Sequence, residues 1–376
     1  MKSTMLSVII AALLGTIQAA MTQERPVIVP GEQAPPADPG QRNFGGPRPA
    51  AGTGAPRPAP RPQRREPVIS TVSFDDLSMS DPFIYPHEET KTYYLTGTGG
   101  RLYTSTDLKM WTGPYSVIDL TGTWMDGLFV AAGEIHRVGD KYYYAGTWSD
   151  HSVVIQAVPR RYNVPRNQTQ LLVADAPEGP YTPLVKEPEF CLGPEDWDII
   201  DGTLYEEDGI NYMVIVHEWT QLIDGTMAYM PLSDDLTHRT AEPTTIFRAS
   251  EAPWCKEMNG IGEATFGMKM PGWVTDGPQM FKTQTGRLGM LWSTWGEHRY
   301  LQGVAYSESG SIKGPWIQAE KPLKDDNSGH GMLFTTFEGK RLLIIHHAEG
   351  NGPRKPQLYE VDDSGDELQL GPRYTP

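Results

Sequence analysis

From about residue 68 onward, apolar and polar positions alternate with a period of two over short runs, and a 3.6-residue period is hard to find. Five stretches show the pattern best: Ile84–Thr96 (IYPHEETKTYYLT), Ile135–Trp148 (IHRVGDKYYYAGTW), Leu204–Val216 (LYEEDGINYMVIV), Met280–Trp292 (MFKTQTGRLGMLW) and Leu333–His346 (LFTTFEGKRLLIIH). Each reads as a strand, a polar turn and a second, more apolar strand. Four of the turns carry Gly-Asp, Asp-Gly, Thr-Gly or Glu-Gly, residue pairs that accept the backbone twist of a tight hairpin.

The five hairpins form an internal repeat. On a common phase they begin at Asp81-Pro82-Phe83-Ile84, Ala132-Gly133-Glu134-Ile135, Asp201-Gly202-Thr203-Leu204, Asp276-Gly277-Pro278-Gln279 and His330-Gly331-Met332-Leu333. Secondary signals recur as well: Ser105-Thr106-Asp107-Leu108 and Ser233-Asp234-Asp235-Leu236, and the closers Gly113-Pro114-Tyr115, Gly179-Pro180-Tyr181 and Gly314-Pro315-Trp316. The 309 residues of 68–376, divided by five, give about 62 per unit, roughly the length of a four-stranded propeller blade. The pattern predicts an all-β fold, a five-bladed β-propeller. A β-sandwich is the rival, but it does not explain a fivefold phase.

The N-terminal segment reads differently. Lys2, the apolar run Met5–Leu14 and the small residues of Gly15–Ala20 predict a signal peptide over 1–20. Residues 21–67 are rich in Pro and Arg, with 12 prolines between Pro26 and Pro67 and Phe44 as the aromatic residue, so they are expected to be a disordered linker. The domain is therefore expected to be exported, periplasmic or extracellular, and tethered to the envelope if the leader is retained. No later apolar stretch approaches the ~18 residues of a membrane span.

The net charge is −15, which argues against a nucleic-acid partner. Two cysteines, Cys191 and Cys255, are too few for a disulfide scaffold or a thiolate zinc cluster; they could pair or stay free. HExxH and Gly-x-Ser-x-Gly motifs are absent.

The phase of the repeat carries the chemistry. The first strand of each blade lines a propeller's channel, and Asp81, Asp201 and Asp276 occupy three of the five strand starts, with His330 at a fourth. Carboxylates converging on an axis repel and lose solvation, which calls for a reason. Glycosidic hydrolysis by a paired acid and base is one; a cation in a ring of oxygens is another.

These motifs resemble glycoside hydrolase family 43, over about Ser80 to Ser364. Ser80-Asp81-Pro82-Phe83-Ile84 is similar to that family's general-base motif, Ile200-Asp201-Gly202-Thr203-Leu204-Tyr205 to that of its pKa-modulating Asp, and Val274-Thr275-Asp276-Gly277-Pro278 to that of its general acid. Gly329-His330-Gly331-Met332 resembles the blade-five segment whose His reaches an axial water or calcium. The resemblance implies an exported, inverting hydrolase of arabinose- or xylose-containing glycans, α-L-arabinofuranosidase-like, with Asp81 as base, Asp201 as modulator and Asp276 as acid. It implies no required cofactor; a structural Ca2+ contacted by His330 is the candidate metal.

Two departures stand out. Asp276 replaces the family's usual Glu and is shorter by one carbon–carbon bond, about 1.5 Å, so Glu218 and Glu263 are alternative acids. Ala131-Ala132-Gly133-Glu134 replaces the usual Trp-Ala-Pro-Glu. A glycan-binding propeller that has lost its acid is the alternative function. For sugar contacts, Trp219 and Trp124 are the candidate stacking faces, Phe83 the candidate subsite floor and Arg299 a candidate partner for an axial carboxylate.

Overall fold

The computed structural model describes residues 68–157, 163–185, 192–259, 269, 271–350 and 352–376. The expected leader and linker, Cys191 and Glu263 lie outside the described residues.

Each hairpin of the repeat opens an antiparallel sheet. Blade one is β2 (Phe83–His87), β3 (Thr92–Thr96), β4 (Arg101–Ser105) and β5 (Met110–Ser116), with β1 (Ser70–Ser73) added outside β5. Blade two is β6 (Val130–Val138), β7 (Lys141–Gln156), β8 (Val164–Ala174) and β9 (Thr182–Pro183). Blade three is β10 (Ile199–Glu207), β11 (Ile210–His217), β12 (Thr226–Pro231) and β13 (Thr244–Arg248); a short helix α1 (Trp219–Leu222) follows β11. Blade four is β14 (Asp276–Lys282), β15 (Leu288–Trp295), β16 (Tyr300–Ser307) and β17 (Trp316–Gln318). Blade five is β18 (Ser328–Thr335), β19 (Arg341–His347), β20 (Lys355–Asp362) and β21 (Gln369–Tyr374).

The first strands neighbour one another in sequence around the ring, β2 to β6 to β10 to β14 to β18 and back to β2, so the molecule is a five-bladed β-propeller. The apolar face of each strand packs against the next blade. Five clusters result, one per blade interface: Tyr94, Tyr144 and Trp148 between blades one and two; Leu171, Ile199 and Met213 between two and three; Val214, Phe247 and Trp292 between three and four; Leu291, Leu333 and Leu343 between four and five; Leu95, Ile344 and Leu358 between five and one. The strands of blades one and five do not share a sheet, so the last interface closes the ring by side-chain packing and a few hydrogen bonds between loops. The three Gly-Pro-aromatic closers share a cis peptide bond, a further mark of the repeat.

Cys255 is buried as a free thiol against the Thr294 hydroxyl at 3.1 Å, and burial pushes it up to about 11. Among the described residues no helix is long and apolar enough to cross a membrane.

Candidate active site

One device is repeated at every blade entrance. The hairpin register slips after Ala131, Ile200, Asp276 and Gly329, and the residue that follows each slip has a left-handed backbone. These are Ala132 (φ 47°), Asp201 (φ 53°), Gly277 (φ 54°) and His330 (φ 51°), with Asp81 (φ 55°) in the same place on blade one. A bulge of this kind turns a side chain out of the sheet's alternation, here toward the axis. Such backbones persist because the surroundings fix them. Each of the five residues donates its N–H to a side chain of the preceding blade: Asp81 to His346 Nδ1 (3.1 Å), Ala132 to Thr98 Oγ1 (2.9 Å), Asp201 to Thr147 Oγ1 (2.9 Å), Gly277 to Asp201 Oδ2 (3.0 Å) and His330 to Ser293 Oγ (2.7 Å).

This ring corrects the sequence phase on blade four. The residue equivalent to Asp81 and Asp201 is Gly277, not Asp276, which stands one position earlier and pairs with Ser293 on β15. The reason is steric. A Cβ on Gly277 would lie 2.7 Å from the His330 ring, so the axial position there admits only glycine. Asp276 nevertheless lines the same cavity as Asp81 and Asp201, a hollow of about 390 Å³ with His330, Glu218, Tyr300 and Arg354 on its walls.

The carboxyls of this cavity sit in opposite electrostatic settings. Burial alone would raise the Asp81 carboxyl, but the His330 charge, with the Arg354 guanidinium behind it, outweighs it and holds it well below the usual carboxylate range. His330 Nδ1 lies 3.2 Å from Asp81 Oδ1 and 3.8 Å from Asp201 Oδ2, and the Thr98 hydroxyl donates to Asp81 Oδ2. Burial would lower His330, yet Asp81, Asp201 and Asp276 together raise it. His346 is driven the other way, to about 4, by burial and Arg354. Its Nδ1 accepts the Asp81 N–H, so the neutral ring carries its proton on Nε2.

Asp201 is pushed up to about 7, first by burial and then by Asp276 and Asp81, against the pull of His330 and the Gly277 N–H. Asp276 is pushed up to about 6 by burial and Asp81, while the Tyr300 hydroxyl, donating to Oδ2 at 2.8 Å, and His330 pull it down. One carboxyl held low and two pushed up thus share one hollow, the kind of split that acid–base catalysis uses.

The expected calcium meets a different donor set. A hard cation of this type takes about six to eight oxygens. Among the described residues no group of three or more His, Cys, Asp or Glu side chains is arranged to hold a metal, and the axis presents the His330 nitrogen with both Asp81 oxygens already engaged. These residues fit an imidazolium–carboxylate pair, not an oxygen cage.

The expected sugar contacts are redistributed. Phe83 lies in the core between blades five and one, its ring 5.4 Å from that of His136, while Asp81, with its left-handed backbone, faces the cavity. Trp219 is 1% exposed, packed behind Trp295 and Tyr300, and it is Trp295 that reaches the cavity. Trp124 packs on the cluster between blades one and two with the Arg166 guanidinium 4.3 Å over its ring. Arg299 is exposed in the turn that closes on Gly296, and Arg354 supplies the cation at the site. Glu134 turns to His136 Nε2 at 2.8 Å, while the small Ala131 forms cavity wall. Asn167 also lines the cavity, its amide donating to Asp198 at 2.7 Å.

Arg354, Tyr300 and Thr98 were not singled out from sequence. The signal for Tyr300 was its place beside Arg299 at the head of β16; Arg354 stands just before β20, the corresponding strand of blade five.

Fold and site together define a five-bladed propeller with a cluster of buried carboxyls in its central cavity. The chain belongs to the Glycosyl hydrolases family 43, whose model matches residues 67–364. It is similar to the solved structure of an endo-arabinase from Bacteroides thetaiotaomicron VPI-5482, at 31% identity and TM-score 0.66 over 77% of this chain and 96% of that one. An endo-1,4-beta-xylanase from the same organism matches at 21% identity and TM-score 0.59, over 82% of this chain and 100% of that one. An alpha-L-arabinofuranosidase from Lactobacillus brevis matches at 16% identity and TM-score 0.56, over 78% and 93%. The last two likenesses show the fold. No relative was found among curated proteins.

Proposed function

We propose that the protein is an exported inverting glycosidase that releases pentose or furanose units, above all α-L-arabinofuranosyl, from plant-type or other polysaccharides. The observation that carries the reading is the split among the carboxyls of one cavity: Asp81 is held ionised while Asp201 and Asp276 are held toward their protonated forms. In this reading Asp81 takes a proton from the water that attacks the anomeric carbon. Asp201, pinned to the Gly277 N–H, tunes the acid side. The leaving oxygen receives its proton from the wall that holds Asp276, the residue at the family's acid position, and Glu218. Trp295 and Tyr300 give the apolar faces that a sugar ring stacks on. The similarity to an endo-arabinase supports arabinose as the sugar.

The test is hydrolysis of nitrophenyl α-L-arabinofuranoside, β-D-xyloside, β-D-galactofuranoside and α-L-arabinopyranoside, and of arabinan and arabinoxylan oligosaccharides, with the first-formed anomer followed by proton NMR. Turnover of the arabinofuranoside with inverted product supports the reading. An inert protein on every substrate, or a retained anomer, overturns it.

A further inference from the structure

Asp276 and Glu218 reach the same cavity from neighbouring blades, and their surroundings differ. Burial and Asp81 raise Asp276, but its charged form has partners: the Tyr300 hydroxyl donates to it, and His330 and Arg354 offset part of the rise. Glu218, at the end of β11, is 5% exposed. Its Oε2 is buried without a hydrogen-bond partner. The charged groups that face it are carboxyls: Asp198 first, then Asp276 and Asp201. Asp198 turns its own oxygens to the Thr220 hydroxyl (2.8 Å) and the Asn167 amide (2.7 Å), so no donor of that network is left for Glu218.

The Trp219 backbone N–H gives the Glu218 carboxyl some support, but burial and the surrounding carboxyls outweigh it, and Oε2 has no partner at all, which makes the charged form costly. The neutral acid avoids that cost. With Oε2 sealed off, the other carboxyl oxygen is the one that can meet a ligand in the cavity. Glu218 is also one carbon longer than Asp276, which offsets the reach that the Asp-for-Glu exchange removed.

We propose that Glu218, and not Asp276, donates the proton to the departing glycosidic oxygen. This assignment rests on the glycosidase activity proposed for the site. In the step, water forms a bond to the anomeric carbon and gives its proton to Asp81. The glycosidic C–O bond breaks, its electron pair stays on the leaving oxygen, and that oxygen takes the Glu218 proton. The products are a free sugar of inverted configuration and an alcohol; Asp81 then releases a proton to solvent and Glu218 regains one. Burial, with the Asp198, Asp276 and Asp201 carboxyls crowded around it, keeps Glu218 protonated.

Glu218→Gln and Asp276→Asn separate the two residues. A dinitrophenyl arabinofuranoside needs almost no proton on its leaving oxygen, whereas an arabino-oligosaccharide needs one. Glu218→Gln is expected to lose about 10²-fold or more on the oligosaccharide and less than about 10-fold on the dinitrophenyl substrate. Asp276→Asn is expected to slow both alike. The selective loss appearing in Asp276→Asn instead overturns the proposal while leaving the glycosidase intact; a wild-type chain inert on both substrates overturns both. A readout free of turnover is carbon NMR of protein labelled in its Glu carboxyls. One signal should titrate well above the ordinary Glu range and vanish in Glu218→Gln; the proposal falls if every Glu signal titrates within that range.

Discussion

Asp81→Asn isolates the base. Asn has nearly the shape of Asp and tolerates the left-handed backbone at this position, so that backbone and the N–H bond to His346 are expected to persist. The amide accepts no proton, and a positioned general base is worth ~10²–10⁴ in rate, or ~3–5 kcal/mol of barrier. The change should therefore fall on kcat with KM nearly constant. It also leaves His330 with Asp201 at 3.8 Å in place of Asp81 at 3.2 Å. Breaking a buried ion pair costs ~3 kcal/mol or more. A domain of this size unfolds with an entropy near ~0.6 kcal/mol/K, so Tm should fall by about 5 °C.

The pH dependence has a definite sign. Asp81 is depressed in the folded protein, so its contribution is complete above its unfolded pKa of about 3.9 and fades as pH falls toward the folded value. His330 is raised, so its contribution is complete below about 6.5 and fades as pH climbs through its folded value. The Tm difference between wild type and variant should thus be widest between about pH 4 and 6.5. Steady-state kinetics on the nitrophenyl panel and calorimetry at pH 3, 5 and 7 read both effects. A variant within tenfold of wild-type kcat would remove Asp81 from the base role, and a Tm gap as wide at pH 3 as at pH 5 would refute the ion-pair argument.

Three further outcomes can be checked. Gly277→Ala forces a Cβ to 2.7 Å from His330 as well as a side chain into a left-handed backbone, whereas Gly209→Ala meets nothing within 4 Å; denaturant melts should show ~1 kcal/mol for Gly209→Ala and clearly more for Gly277→Ala, with activity lost in the latter alone. Asp201, raised to about 7, makes the fold less stable as pH rises from about 4 to 7, so Asp201→Asn should melt higher than wild type at pH 8, and that advantage should vanish near pH 4. Tyr300→Phe removes the hydroxyl that donates to Asp276, so the Asp276 carboxyl should titrate about one unit above its value of about 6 in carbon NMR of Asp-labelled protein.

The fold was largely legible because its signal is periodic. Strand, turn and strand recur five times, and each hairpin read from alternation is a hairpin in the structure. Asp81 and Asp201 were legible for the same reason, as their places in the repeat are their places on the axis. Asp276 was found through its Asp-Gly-Pro sequence but one step out of phase, since alternation carries no mark of the residue that takes the bulge. Trp219 and Phe83 failed for a related reason: an aromatic beside a catalytic segment faces the core or the cavity according to a local turn, and sequence distance does not resolve which. Arg354 and Glu218 gain their roles from blades that meet only in space, Arg354 at the closing interface and Glu218 beside blade four.

The closing interface ties catalysis to the integrity of the ring. The Arg354 carbonyl accepts bonds from the Met79 N–H at 3.0 Å and the Ser78 hydroxyl at 3.2 Å, and Lys355 reaches the Asp75 carbonyl at 2.9 Å. The residue that fastens the last blade to the first therefore also lines the central cavity, where its charge lowers the Asp81 carboxyl. When that seam parts, the cation withdraws from the axis while four sheets still stand. Heat should accordingly silence the enzyme some degrees before its circular dichroism collapses, and a covalent clasp across the seam should bring the two temperatures together.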